Sequence, residues 1–463
     1  MSWEPEKWAE GQFGRCELGD ARRTARAVKM AAAFAQGCQG TLPGSMAAWS
    51  DLKAAYRLLN TEEVTFERLL GPHREQTRQA CRAGGEYVLI EDTTDLNLTR
   101  AQPIQGLGWT GNEEERGLLV HSTLAGQIER WTAEGEPVVK LLGLFEQQVW
   151  TRKHKARKKK ETQAQRLSRG RESERWAACL GASGGPPEGT RWTYIGDRES
   201  DIFEVLQRCR AAHTDCLLRA CRPRRAVGEE GDLLSLARGA AVRGVVKLKL
   251  RSRPGVRART ARLTLRSRQV TLRGPRRPGG RPEPETINVV AVVEEDPPRG
   301  VAGIEWILLT TWPVETLAQC VRVAKTYAQR WLIEEYHKAL KTGVGMERTQ
   351  LESAQGVEAL LGLLSVVAFR LLRLKLVGRA EPQRAVAAED LTPAALRVLQ
   401  RQFGKPAGGW TYAAVTRCIA RLGGFLARKG DGDPGWLTLW RGSRRLNAML
   451  AGYAIACEAQ KCG

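Results

Sequence analysis

Three acidic residues, far apart in the chain, are placed where their carboxylates could share divalent cations. Asp92 closes the run Glu86-Tyr87-Val88-Leu89-Ile90-Glu91-Asp92, and Asp197 closes Trp192-Thr193-Tyr194-Ile195-Gly196-Asp197. Both runs are largely apolar and rich in β-branched or aromatic residues, the pattern of buried strands that emerge on a carboxylate. Glu334 lies inside Tyr327 to Lys338, which reads as a helix. Two strand-end aspartates and a helix glutamate offer oxygen ligands to a pair of hard cations. An in-line displacement at phosphorus uses such a pair.

The helix carries more than the glutamate. At a helical period, Tyr327, Arg330, Glu334, Lys338 and Lys341 fall on one stripe, with Trp331 at its border and Leu332, Tyr336 and Leu340 opposite. A carboxylate flanked by guanidinium, ammonium and phenol groups suits a metal ligand beside phosphate-binding groups. Read alone, the stripe is equally a solvated face with i, i+4 pairing. The two aspartates favour the first reading.

The chain has 463 residues and a net charge of +22, which predicts two to four domains and a polyanionic partner, most simply nucleic acid. The charge is concentrated. Residues 150–175 carry eleven Lys/Arg against three acids and residues 219–281 nineteen against three, leaving the rest nearly neutral. These islands suit phosphates; the alternative is a pair of solvated basic loops. A metalloenzyme acting on a small phosphate ester would not need them. Eleven cysteines without a CxxC pair predict reduced thiols in a cytoplasmic protein. Met1 to Glu10 is polar, so no signal peptide is expected. Val357 to Leu374 contains Glu358, Arg370 and Arg373 and reads as a core helix rather than a membrane span.

Residues 1–75 read as a helical region, in which Arg22, Arg23 and Arg26 share a helix face that is either solvated or phosphate-binding. Strands are predicted at 86–92, 117–125, 137–144 and 192–197, then Cys216 to Arg219, within a catalytic region of 76–350. The alternation with helices predicts a mixed-sheet α/β layer. Residues 222–286, rich in Arg, Pro and Gly, read as an inserted antiparallel β unit with a loop from Gly274 to Glu285. Strands at 287–294 and 305–311 return to the sheet, and helices follow through a C-terminal region of 351–463.

Several stretches together resemble the DDE transposases of the insertion-sequence-four family, close to the Tn5 type. They are Ile90-Glu91-Asp92-Thr93-Thr94, Asp197-Arg198-Glu199-Ser200-Asp201, and the spaced set Tyr327, Arg330, Glu334 and Lys341. Leu18 to Arg26 and Ile419 to Phe425 extend the resemblance over almost the whole chain. It implies an RNase H-like core interrupted by a β insertion, with Asp92, Asp197 and Glu334 as the metal-binding triad. It also implies two Mg²⁺ ions per site, Mn²⁺ serving as a substitute. Tyr327, Arg330 and Lys341, helped by Lys338, would hold phosphates. Trp306 matches a tryptophan associated with a flipped base, and Arg219 an arginine near the active site. Arg22, Arg23, Arg26 and Arg57 fall in the end-reading region, and Trp436 to Tyr453 where the family dimerises. The basic runs at 152–160 and 251–281 are richer than the family pattern.

The implied activity is cut-and-paste transposition: hydrolysis at a transposon end, a hairpin intermediate, and joining of the 3′-OH to target DNA by a homodimer on double-stranded DNA, in the bacterial cytoplasm near the nucleoid. Two other readings remain, a DNA-binding protein without catalysis and an RNase H-like junction or repair nuclease.

Overall fold

The computed structural model describes residues 4–37, 41–46, 48–110, 114–152, 174–250, 259–277, 280–380, 382–386, 391–428 and 431–459. Most of the basic run at 152–160 and residues 251–258, 278 and 279 of the second run lie outside them.

Five helices open the chain: α1 Pro5–Phe13, α2 Ala21–Gly37, α3 Leu42–Ser45, α4 Trp49–Leu59 and α5 Phe66–Ala80. Helix α2 buries Ala27, Met30, Ala31 and Phe34 on one side, and Thr65 caps α5 by accepting from the Arg68 N–H. Helix α5 runs through position 75, the expected limit of the N-terminal region.

The strands are β1 Gly85–Asn97, β2 Gly117–Trp131, β3 Pro137–Trp150, β4 Thr190–Gly196, β5 Asp215–Arg219, β6 Ala241–Leu250, β7 Arg259–Leu272, β8 Glu285–Val293 and β9 Glu305–Thr310. They form one nine-stranded sheet in the order β3-β2-β1-β4-β5-β9-β8-β7-β6. Only the β1–β4 and β4–β5 pairs are parallel. The mixed α/β sheet expected from the sequence is therefore present, with one difference. The strands of the 222–286 insertion do not stand apart: β6 pairs with β7, β7 with β8 and β8 with β9, so they continue the core sheet.

Helices α6 Glu174–Ser183, α7 Phe203–Ala211 and α8 Leu233–Arg238 cover one face of the sheet, packing Trp176, Phe203 and Leu206 against Tyr194, Leu218 and Ile307. The other face belongs to a larger cluster that also takes in α2, α4, α5, α9 Leu317–Tyr327, α10 Trp331–Lys338 and α11 Ala354–Ala380. Helices α12 Pro393–Phe403, α13 Tyr412–Leu422 and α14 Trp436–Ala459 share a further cluster around Leu399, Ile419 and Leu446. No helix among the described residues is long and apolar enough to cross a membrane.

Candidate active site

Strand register brings the first two carboxylates together. The parallel β1–β4 ladder pairs Val88 with Thr193 and ends at Ile90 opposite Ile195. Two residues further along each chain, on the same sheet face, stand Asp92 and Asp197. The expectation that Asp92 ends its strand is corrected here. Strand β1 stays paired with β2 through Asn97, whereas β4 stops at Gly196. The strands thus part beside Asp92 because only β2 continues along it.

A tight turn holds Asp197. Its Oδ1 accepts from the Glu199 N–H at 2.7 Å, and the Ser200 hydroxyl donates to its carbonyl at 2.6 Å. A Cβ on Gly196 would lie 2.2 Å from Ser200 Oγ, so the turn requires glycine. Asp201, 1% exposed, anchors the turn to the segment after β5 by accepting from the N–H groups of Cys221 at 2.7 Å and Arg222 at 2.9 Å and by pairing with Arg224.

The third carboxylate comes from α10. The sequence predicts one regular helix over 327–341, but the chain runs from α9 through a 3₁₀ turn (Ala328–Arg330) into α10 and then a π turn (Ala339–Gly343). Wide turns of this kind recur at functional sites. Arg330 bridges the elements, donating to Asp92 Oδ2 at 3.2 Å and to the Glu334 carboxylate. Lys341 lies 3.2 Å from Asp95 Oδ1, and Lys338 is exposed with no ion pair among the described residues.

Burial, together with the nearby charges of Asp197 and Glu334, raises the Asp92 carboxyl to about 7; Arg330 and the Thr93 N–H oppose the rise. Asp92 thus senses both other carboxylates, an arrangement that disfavours a full set of negative charges. An all-oxygen set of this charge fits hard divalent ions rather than soft ones.

The phosphate-side residues gather at the same end. The Tyr327 ring is buried, and its hydroxyl lacks a well-formed hydrogen bond. Burial raises that phenol to about 12, while the Arg330 and Arg219 guanidinium groups pull it down. Arg219 also donates to the Glu305 carbonyl at 2.8 Å. Half-buried Trp306 meets Tyr327 edge to face at 5.3 Å between ring centres. Tyr327, Arg330 and Arg219 therefore gather beside the carboxylates, with Trp306 against the Tyr327 ring.

The N-terminal arginines are not part of it. Arg22 pairs with Asp20, Arg23 with Glu63 and Arg26 with Asp51, while Arg57 is exposed. Surface pairs of this sort are weak and screened by salt.

Three family models match the chain in succession. A transposase DNA-binding model matches residues 5–64, a transposase DDE domain 186–369, and a Tn5 transposase dimerisation domain 366–463. The chain belongs to the Tn5-type DDE transposases. The DDE match takes in Asp197 and Glu334. Asp92 precedes it and joins them through the β1–β4 register. The transposase thus has modules for DNA binding, strand cleavage and dimer formation, and the insertion-sequence-four resemblance agrees with them. Within the dimerisation match, α14 exposes Leu437 and Ile455, while Trp436 donates its indole N–H to Glu335 Oε2 at 2.9 Å.

One polar cluster was missed in the sequence. Glu91, His121 and Cys179 form the one group among the described residues with three ligand atoms within 4.8 Å of one another, and all three are buried. They lie on the sheet face opposite Asp92. Burial raises the Cys179 thiol, away from the thiolate that metals prefer. Thr123 donates to Glu91 Oε1 at 2.7 Å, and Tyr194 and His121 face Oε2. The cluster is accordingly a hydrogen-bonded network. Glu91 lies 30 or more residues from each of these partners, and no local motif marks them.

Proposed function

We propose that the transposase moves DNA by a cut-and-join route through a hairpin, with Asp92, Asp197 and Glu334 holding two divalent cations. Magnesium is the natural ion for this oxygen set, and manganese a substitute. When bound, such a pair supplies an activated water and charge relief at the departing 3′ oxygen. The observation that carries the reading is the geometry: the β1–β4 register sets Asp92 beside Asp197, and Arg330 ties Asp92 to Glu334.

The chain's own groups would handle the DNA. Arg330, which braces Asp92 against Glu334, is in reach to turn towards a phosphate. Lys341, Lys338 and the Tyr327 hydroxyl would hold the strand on either side, with Arg219 behind. After the first cut, the freed 3′-OH attacks the opposite strand to give the hairpin. A base extruded by that sharp bend would stack on Trp306. Hydrolysis reopens the hairpin, and the same 3′-OH joins target DNA. Arg22, Arg23, Arg26 and Arg57 would read the inverted-repeat ends, and two protomers would hold two ends together. The setting would be the cytoplasm, at the nucleoid.

The test uses labelled end DNA with Mg²⁺. Wild-type protein should nick, form hairpins and join ends, whereas Asp92→Ala, Asp197→Ala and Glu334→Ala should bind the end yet cut at least about 1,000-fold more slowly. Substantial cutting by any of the three variants would sink the triad. Cutting guided by DNA shape, with no preference for the terminal sequence, would support the junction nuclease. Binding by the wild type without cutting would support the non-catalytic reading.

A further inference from the structure

The network beneath Asp92 ends on that residue's carboxylate, reached through the Thr93 N–H. The β1–β2 register sets Glu91 opposite Thr123, Asp92 opposite Ser122 and Thr93 opposite His121. Side chains alternate across the sheet, so Glu91 and Thr93 share the face away from Asp92. Glu91 Oε1 accepts from the Thr123 hydroxyl at 2.7 Å, and Oε2 accepts from the Tyr194 hydroxyl and lies 3.0 Å from His121 Nε2. On the other side of the ring, His121 Nδ1 lies 2.9 Å from Thr93 Oγ1. The Thr93 N–H then donates to Asp92 Oδ1 at 2.8 Å. Glu91 is 2% exposed and His121 0%, and the imidazole meets Trp176 edge to face at 4.6 Å.

We propose that Glu91, His121 and Thr93 are positioning residues that fix the Asp92 carboxylate through the Thr93 peptide. The donor–acceptor order follows from the chemistry of each group. A carboxylate that already receives two hydroxyl donors takes the imidazole as a third, which places the ring proton on Nε2. Nδ1 of a neutral ring then accepts, so the Thr93 hydroxyl donates to it. The Thr93 side chain is held at one end and its N–H is aimed at Asp92 at the other. Site carboxylates are commonly oriented by such outer partners. The device suits this position because β4 has already ended beside Asp92, and pairing with β2 alone is left to hold the backbone there. The proposal rests on Asp92 being a metal-binding carboxylate.

Two measurements on the full-length protein test it. Nitrogen-15 NMR of the histidine side chains reads the His121 tautomer directly, and five histidines keep assignment by single replacement practical. The expected state is protonated at Nε2 and bare at Nδ1; a ring protonated at Nδ1 overturns the relay, whatever any variant does. The second measurement compares Thr93→Val and Thr93→Ser. The valine retains shape and β propensity without the hydroxyl, and the serine restores it. Thr93→Val should weaken Mn²⁺ binding, followed by electron paramagnetic resonance, about tenfold or more. It should raise the Mg²⁺ midpoint for cleavage in parallel, with metal-free affinity for end DNA unchanged. Thr93→Ser should recover most of both losses. Wild-type metal affinity in Thr93→Val, or equal losses in Val and Ser, would overturn the positioning role. If instead Asp92→Asn leaves Mn²⁺ binding untouched, the triad assignment has failed, an outcome separate from the histidine tautomer.

Discussion

Asp92 has a stability cost written into its surroundings. Its folded carboxyl sits near 7, against roughly 4 in an unfolded chain. A raised carboxyl means that the folded state holds the proton more tightly, so this contribution to stability is present below about pH 4 and is lost as pH rises to about 7. Each unit is worth about 1.4 kcal/mol, which bounds the cost at about 4 kcal/mol. Asp92→Asn should therefore melt higher than wild type in metal-free buffer at pH 8, with the gain shrinking towards pH 4. Thermal melts at both pH values check this; a pH-independent difference would refute the raised carboxyl. Trp306→Ala should slow hairpin closure more than first nicking. Base stacking on an aromatic is worth roughly 1–3 kcal/mol, about five- to 150-fold in rate, read from a time course resolving nicked and hairpin products. Equal slowing of both steps would make Trp306 a support for the Tyr327 ring it touches. That Asp92, Asp197 and Glu334 could meet was legible from local patterns, two apolar runs leading to acids and one stripe of a helix. Glu91 and His121 were not, since their pairing exists only once β1 and β2 are in register.

At the level of elements, the strands were legible by place but not by length. Strand β1 runs on to Asn97 because the polar Asp92 to Asp95 segment keeps its ladder with β2, something that apolar patterning does not reveal. The helix bearing Glu334 was legible as a helix, but not its 3₁₀ and π turns, since local propensity carries no sign of a change in winding. The insertion was legible as antiparallel strands, while its continuity with the core depended on the β7–β8 pairing. Two buried histidines link these elements to pH. His73, on α5, accepts from the Leu144 N–H at 3.0 Å through Nε2 and faces Gln12 through Nδ1, so it must stay neutral. Burial lowers both His73 and His337 to about 3. With unfolded values near 6.5, the unfolded state gains protons first as pH falls. Their contribution is intact above about pH 6.5 and is lost at up to about 1.4 kcal/mol per unit each between about 6.5 and 3. Wild type should lose denaturant resistance steeply over that window. Replacing His73 by Gln, which can still accept and donate, should flatten the slope by nearly one proton. An unchanged slope would show that His73 does not stay neutral in the fold.

The molecule as a whole carries its charge in two islands, which predicts a steep salt dependence of DNA binding. Residues 153–160 hold six Lys/Arg, and each phosphate contact among them adds about 0.9 to the slope of log K against log salt. Deleting them should flatten that slope with cleavage chemistry retained; an unchanged slope would show that the run touches no phosphate. The core shared between the two ends of the chain was not legible, because it forms only when distant helices pack. Helix α11 packs against α2, α4 and α5 from the start of the chain and against β3 and α13 from later segments. Val357, Leu361, Leu364 and Phe369 belong to the same apolar cluster as Phe34, Leu59 and Leu70. A chain emerging from the ribosome therefore makes α2, α4 and α5 first and the helix that closes over them roughly three hundred residues later. Until that moment their inner faces are open to chaperones or to one another. A broken message or an early stop would leave an amino-terminal fragment with no lid on its apolar side, and such a fragment would be cleared or clump rather than linger on DNA as a competitor of the whole protein.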